Sequence, residues 1–168
     1  LFNLANVVFD RRPEAYLNVG AQTAGLGDLD ASIEAWRSAI AVIESPDADA
    51  GDEETRAQWD TDFWVMAHNN LGRVLQMAER PGEAVTVYET LLERFPDDAE
   101  TRSSLAVVLA ASGQAENALV IFDEILGGED GTPLDYFNAG VSLYTADQLD
   151  QAVIGFEKAV ERVPMYRD

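Results

Sequence analysis

Between His68 and Pro96 the chain alternates apolar and polar positions with the period of two short helices. Leu71, Val74, Leu75 and Ala78 recur at three- and four-residue spacing, which gathers them on one helix face. Glu79-Arg80-Pro81-Gly82 interrupts that pattern, because proline opens a helix but cannot continue one. Ala84, Val85, Tyr88, Leu91, Leu92 and Phe95 resume it, and Pro96 stops it. Each helix carries an apolar stripe that it cannot bury by itself. The hairpin therefore requires neighbours.

The neighbours are copies of the hairpin. Aligned on Gly72, the same small-residue column falls at Gly20, Ala106 and Gly140, so the last two intervals are both 34 residues. The first interval is 52, which is 34 plus an insertion of 18. A large aromatic column, Trp36, Tyr88, Phe122 and Phe156, closes each second helix against the first. A small column, Ser32, Ala84, Ala118 and Ala152, marks the tightest crossing. Two further apolar columns are Val19, Leu71, Leu105, Ala139 and Ala39, Leu91, Ile125, Ala159. Pro96 and Pro164 end their units, with Pro46 and Pro133 slightly displaced. The pattern predicts helices over 13–26, 29–43, 62–79, 82–95, 97–112, 115–127, 133–146 and 148–162.

A 34-residue helical hairpin with this small, alanine, aromatic and proline pattern resembles the tetratricopeptide repeat, over residues 13–166. The resemblance implies an all-α fold, a right-handed α-solenoid of stacked antiparallel helix pairs, in units of about 13–46, 65–98, 99–132 and 133–166. The third unit departs from the pattern, with Ala106 for glycine and Gly127-Gly128-Glu129-Asp130-Gly131 in place of a terminating proline. Residues 1–12, with Phe2, Ala5, Val8 and Phe9 apolar, read as the end of a preceding helix. Solenoids need solvating caps, and neither end supplies one, so the natural protein is expected to continue on at least one side.

Charge changes the picture more than composition does. There are 31 acidic residues against 11 basic ones, for a net of -20, which leaves no basic stripe to neutralise phosphates. Nucleic acid is excluded as a partner, and an anionic membrane surface would repel the chain. The longest apolar run, Leu105 to Ala111, is far shorter than a membrane span, so no direct insertion is expected. Leu1 to Phe9 carries Asn3 and Asn6 without a basic leader and does not read as a signal peptide. A soluble protein is expected, in a bacterial-type cytoplasm or periplasm or peripheral to a membrane complex. The absence of cysteine removes disulfides, thiolate nucleophiles and cysteine–zinc sites.

Much of the acidity lies in the insertion at about 44–62, where eight carboxylates accompany one base, Arg56. Asp47, Asp49, Asp52 and Glu53 have the composition of a calcium loop but not its spacing. Counted from Asp47, the glycine comes one place early and Gln58 stands where the twelfth-position glutamate belongs. A solvated acidic loop is the better reading, with Trp59, Phe63 and Trp64 pinning its far end to the array. His68, the only histidine, shares its column with Tyr16, Arg102 and Tyr136 and faces the paired helix, which suits packing or hydrogen bonding. One histidine cannot build a multi-histidine zinc site, and no glycine-rich phosphate loop is present. No catalysis, metal or cofactor is expected.

In the family that the repeats resemble, the first helices line a concave surface that binds peptides. The resemblance assigns to that groove Asn18, Met66, Asn69, Asn70, Arg73, Met77, Ser104, Val107, Phe137, Asn138 and Val141, with Leu17, Ala21, Ala111 and Tyr144 beside them. Asparagine offers both a donor and an acceptor, so the column Asn18, Asn70, Ser104, Asn138 could bond an extended peptide backbone, or else a neighbouring helix. The lysine and arginine clamp by which some members hold a carboxylate is absent, since Leu17, Ala21, Glu100 and Ser104 stand there. An apolar groove favours an amphipathic helix or an uncharged strand, at about 25 cal/mol per Å² of apolar area buried.

Two functions fit. One is a non-catalytic interaction scaffold whose groove holds a protein or peptide partner. The other is a fixed structural subunit of a larger complex, docked through helix ends and edges. A regulatory arm of an enzyme whose catalytic domain lies elsewhere is a third. The fold alone does not choose the partner.

Overall fold

The computed structural model describes residues 12–46, 50–127, 132–145 and 147–162, and every regular element among them is helical. The chain falls into two compact units, Leu1–Val87 and Tyr88–Asp168. The helix end expected over residues 1–12 lies, except for Arg12, outside the described residues, as do Asp47, Asp49 and residues 128–131.

The first unit begins with α1 (Pro13–Gly25), α2 (Leu29–Glu44) and the short α3 (Glu53–Gln58). A π turn (Trp59–Phe63) leads directly into α4 (Trp64–Met77), and α5 (Pro81–Arg94) starts in this unit. Pro13 opens α1, and the Asp28 carboxylate opens α2 by accepting from Ala31 N–H at 3.2 Å. The two helices pack closely because Gly20 has no side chain. A Cβ there would stand 2.6 Å from Trp36 Cε2. The Ser32 hydroxyl donates to Gly20 O at 2.8 Å, so both small columns serve one crossing. α2 in turn packs against α4.

The insertion differs from the sequence reading. Helix was expected from about residue 62, but it starts at Glu53, where Asp52 Oδ1 accepts from Thr55 N–H at 2.7 Å. That bond holds the Asp52 carboxyl below its ordinary value. In an α-helix Trp59 and Trp64, five residues apart, would point about 140° away from each other. The wider π turn between them lets both indoles reach inward. Trp59 Nε1 donates to Glu14 Oε1 of α1 at 3.3 Å, and Trp64 Nε1 donates to Glu44 Oε1 of α2 at 2.9 Å. Arg56 donates to the carbonyls of Ile43 and Ser45 at 3.0 and 3.3 Å, closing the end of α2 with positive charge. Trp59 is wholly buried. The acidic segment is thus folded onto the helices from Asp52 onward.

The second unit holds the rest of α5, then α6 (Ala99–Ala111), α7 (Ala115–Gly127), α8 (Pro133–Thr145) and α9 (Leu149–Glu161). α6 pairs with α7 and α8 with α9, while α6 also lies along α8. The Asp98 carboxylate caps α6. Before α8, Thr132 and Asp135 cap each other: Thr132 N–H donates to Asp135 Oδ2 at 2.9 Å, and Asp135 N–H donates to Thr132 Oγ1 at 3.2 Å. The core contains Leu105, Val108, Leu109, Phe122, Tyr136 and Leu143. A Cβ on Gly140 would meet the Phe156 ring at 2.8 Å, so this hairpin repeats the solution of the first.

One backbone feature repeats in every hairpin turn. Gly27, Glu79, Gly113 and Asp147 all have positive φ, at 79°, 56°, 83° and 60°. In each case the next residue's N–H bonds back to a carbonyl five residues earlier: Asp28 to Thr23, Arg80 to Leu75, Gln114 to Leu109 and Gln148 to Leu143. This is the left-handed helix end that glycine favours, and two of the four positions are not glycine. Outside the insertion, the observed helix limits fall within about two residues of those expected.

Candidate functional site

The expected site residues sit on the first helix of each hairpin and form two sets, one in each unit. On α4, Met66, Asn70, Arg73 and Met77 follow one another at helical spacing along one side; Met66, Arg73 and Met77 are exposed, while Asn70 and the neighbouring Asn69 are half-buried. Asn70 is engaged locally. Its Nδ2 donates to Met66 O at 2.8 Å, and its Oδ1 accepts from Arg73 at 2.8 Å. One amide proton and the second lone pair of Oδ1 remain for a partner, so the two roles offered by the sequence can coexist. Asn18, on α1, is exposed.

In the second unit, Phe137, Val141 and Tyr144 form an exposed apolar row on α8, with the half-buried Asn138 next to Phe137. Ser104 and Val107 are half-buried on α6, the helix that runs beside α8. Phe137 leans on Phe156 of α9, ring centroids 5.9 Å apart, which fixes the base of the row. Leu134, one turn before Phe137, is also exposed and was missed, although it stands in the column of Met66; the other two residues there, Glu14 and Glu100, are acidic.

Two assignments need correction. Leu17 does not face a groove; it is buried. It lies one turn beyond Glu14, the residue that receives Trp59, on the side of α1 that the insertion covers. Val19, read as a core position like Leu71, Leu105 and Ala139, is exposed instead.

His68 is buried, its ring 4.0 Å from that of Trp64 and its Nδ1 2.8 Å from Trp64 O. It braces the start of α4 and has no open side for a substrate. Among the described residues no group of three or more histidines or carboxylates is placed to hold a metal ion. None of the described helices is long and apolar enough to cross a membrane. A network of charges ties α2 to the start of α5. Glu83 accepts from Arg37 and Arg80, each at 2.6 Å, and Arg80 also lies 3.8 Å from Asp30. The Arg80 and Arg37 hydrogen bonds lower the Glu83 carboxyl below its usual value, and Glu83 raises Arg80 in return.

Residues 69–133 match the family model of the tetratricopeptide repeat. That stretch is tetratricopeptide repeat. Solved structures agree on the fold of these repeats. A crystal structure of MamA is similar at 17% identity, with a TM-score of 0.66 over 96% of this chain and 84% of that one. A crystal structure of YrrB, described as a TPR protein with an unusual peptide-binding site, is similar at 18% identity. Its TM-score is 0.52, over 98% of this chain and 93% of that one. No curated protein matches the sequence. On either side of the matched stretch, Gly20 against Trp36 and Gly140 against Phe156 make equivalent small-to-aromatic contacts within their hairpins.

Proposed function

We propose that this tetratricopeptide-repeat protein is a non-catalytic binding module that holds a segment of a partner protein against the first helices of its hairpins. The observation that carries the reading is the row Phe137, Val141 and Tyr144, three large apolar side chains left exposed on one side of α8. They would receive apolar side chains of the segment, with the Asn138 amide bonding its backbone. Met66 and Met77 offer adaptable apolar contact on α4, and the Asn70–Arg73 pair between them supplies polar anchoring. The family match over residues 69–133 and the peptide-binding site named for YrrB support the same reading.

The test is selection of binders from a displayed random-peptide library on the purified protein, followed by affinity measurement on two variants. Phe137→Ala/Tyr144→Ala and Asn70→Ala/Arg73→Ala should each leave helical content intact. At least one should weaken the selected peptides by tenfold or more, about 1.4 kcal/mol. Full affinity in both double variants would place binding on another surface.

A further inference from the structure

We propose that α4 takes a partner helix carrying one carboxylate, held by Arg73, between two apolar residues that sit on Met66 and Met77. The inference rests on the reading of the first helices as the binding face and adds what that face selects. Met66, Asn70, Arg73 and Met77 are spaced by four, three and four residues, the heptad interval along which one helix packs against another. The positions equivalent to Met66, Arg73 and Met77 are unburied in every hairpin, so the repeat itself leaves this side of α4 open.

Charge identifies what Arg73 receives. α4 holds none of the chain's 31 acidic residues, whereas every other described α-helix holds at least one. Arg37, Arg56, Arg80 and Arg102 each pair with a carboxylate. The exposed Arg73 pairs with none among the described residues. One of its N–H groups goes to Asn70 Oδ1 at 2.8 Å, which holds the guanidinium on this side of the helix. Four donors remain, and a carboxylate accepts two of them side by side. Arg73 lies about 10 Å along the helix axis from Met66 and about 6 Å from Met77. The flexible thioethers accept apolar side chains of more than one shape, so the charge pair, rather than the apolar contact, sets the register.

The rest of the partner helix is not acidic. At a net of -20 the chain repels an anionic segment at long range and draws in a neutral or basic one. Arg73 therefore reads a single acid in a helix that is otherwise neutral or basic.

The experiment selects binders on the full chain, and in parallel on Arg73→Glu, from a displayed library of helical peptides with one face randomised. Binders of the parent should share an aspartate or glutamate four residues from one apolar residue and seven from another on its opposite side. Replacing that acid by its amide should weaken binding at least tenfold by fluorescence anisotropy. Arg73→Gln should erase the difference between the acid and amide peptides. Arg73→Glu should select lysine or arginine at the same position, a reversal that an arginine serving only the folding of α4 would not produce. Binders that weaken in Phe137→Ala/Tyr144→Ala or Met66→Ser/Met77→Ser yet share no acid overturn this inference and leave the binding face standing. Binders that no variant on α4 or α8 weakens overturn both. A lack of binders, including the case in which a segment of the chain itself covers α4, overturns the proposal as well.

Discussion

The four left-handed turns make the repeat architecture quantitatively testable. Gly27 and Gly113 adopt positive φ freely, whereas Glu79 and Asp147 hold φ of 56° and 60° with a Cβ attached. A left-handed conformation costs an ordinary L-residue about 1–2 kcal/mol, and less for asparagine or aspartate. Replacing Glu79 by glycine removes that strain but gives back about 0.5–1 kcal/mol through the freer unfolded chain. The net gain should be about 0.5–1 kcal/mol, a rise in melting temperature of about 2–4 °C for a chain of this size. Asp147→Gly should gain less, since aspartate tolerates the conformation better. Gly113→Ala imposes the strain where none existed and should lose about 1 kcal/mol, although a Cβ there meets no atom within 4 Å. Glu79→Ala separates backbone from charge, because it removes the carboxylate and keeps the Cβ; it should not stabilise. Thermal and urea unfolding followed by far-ultraviolet circular dichroism would read all four variants. A stability ranking in which Glu79→Gly falls below the parent, or Gly113→Ala matches it, would refute the account of these turns.

Two further outcomes follow from the first unit. Trp59→Ala should cost about 3–5 kcal/mol, as expected for emptying a fully buried indole site, and urea unfolding should show it; a loss below 1 kcal/mol would mean that the insertion is not part of the core. Glu83 titrates lower when folded than when unfolded, because Arg80 and Arg37 donate to its carboxylate. Its contribution to stability is therefore present above the unfolded carboxyl value of 4.5 and fades as pH falls through the lower folded value. Glu83→Gln should flatten that part of the stability profile in acid, and a profile identical to the parent's would count against the network.

The hairpins could be read from sequence because each crossing uses a fixed pair of residues. Gly20 with Trp36 and Gly140 with Phe156 occupy the same repeat columns and make the same contact. The insertion could not be read that way. Its inward-facing residues, Trp59 and Trp64, are five apart, a spacing that matches neither helix nor strand and becomes intelligible only with the π turn. The left-handed turns were half visible, since glycine announces Gly27 and Gly113 while Glu79 and Asp147 look like ordinary surface residues. At the candidate site, residue type placed Phe137, Val141 and Met77 correctly on exposed helix faces. It failed at Leu17, where the covering group arrives from a segment outside the repeat register, and it could not show that Asn70 already bonds to its own helix.

Stacked hairpins ordinarily open from the ends, because each is held only by the next one along. The bond from Trp59 to Glu14 spans 45 positions, and Arg56 grips the tail of α2 from beyond the loop. The α1–α2 hairpin is therefore strapped from both sides and cannot peel away while the strap holds. Fraying there would require the whole stretch from Pro13 to Met77 to let go together. Amide protons of α1 should then exchange with solvent at the same slow rate as those of α4, as parts of one cooperative block rather than a loose end.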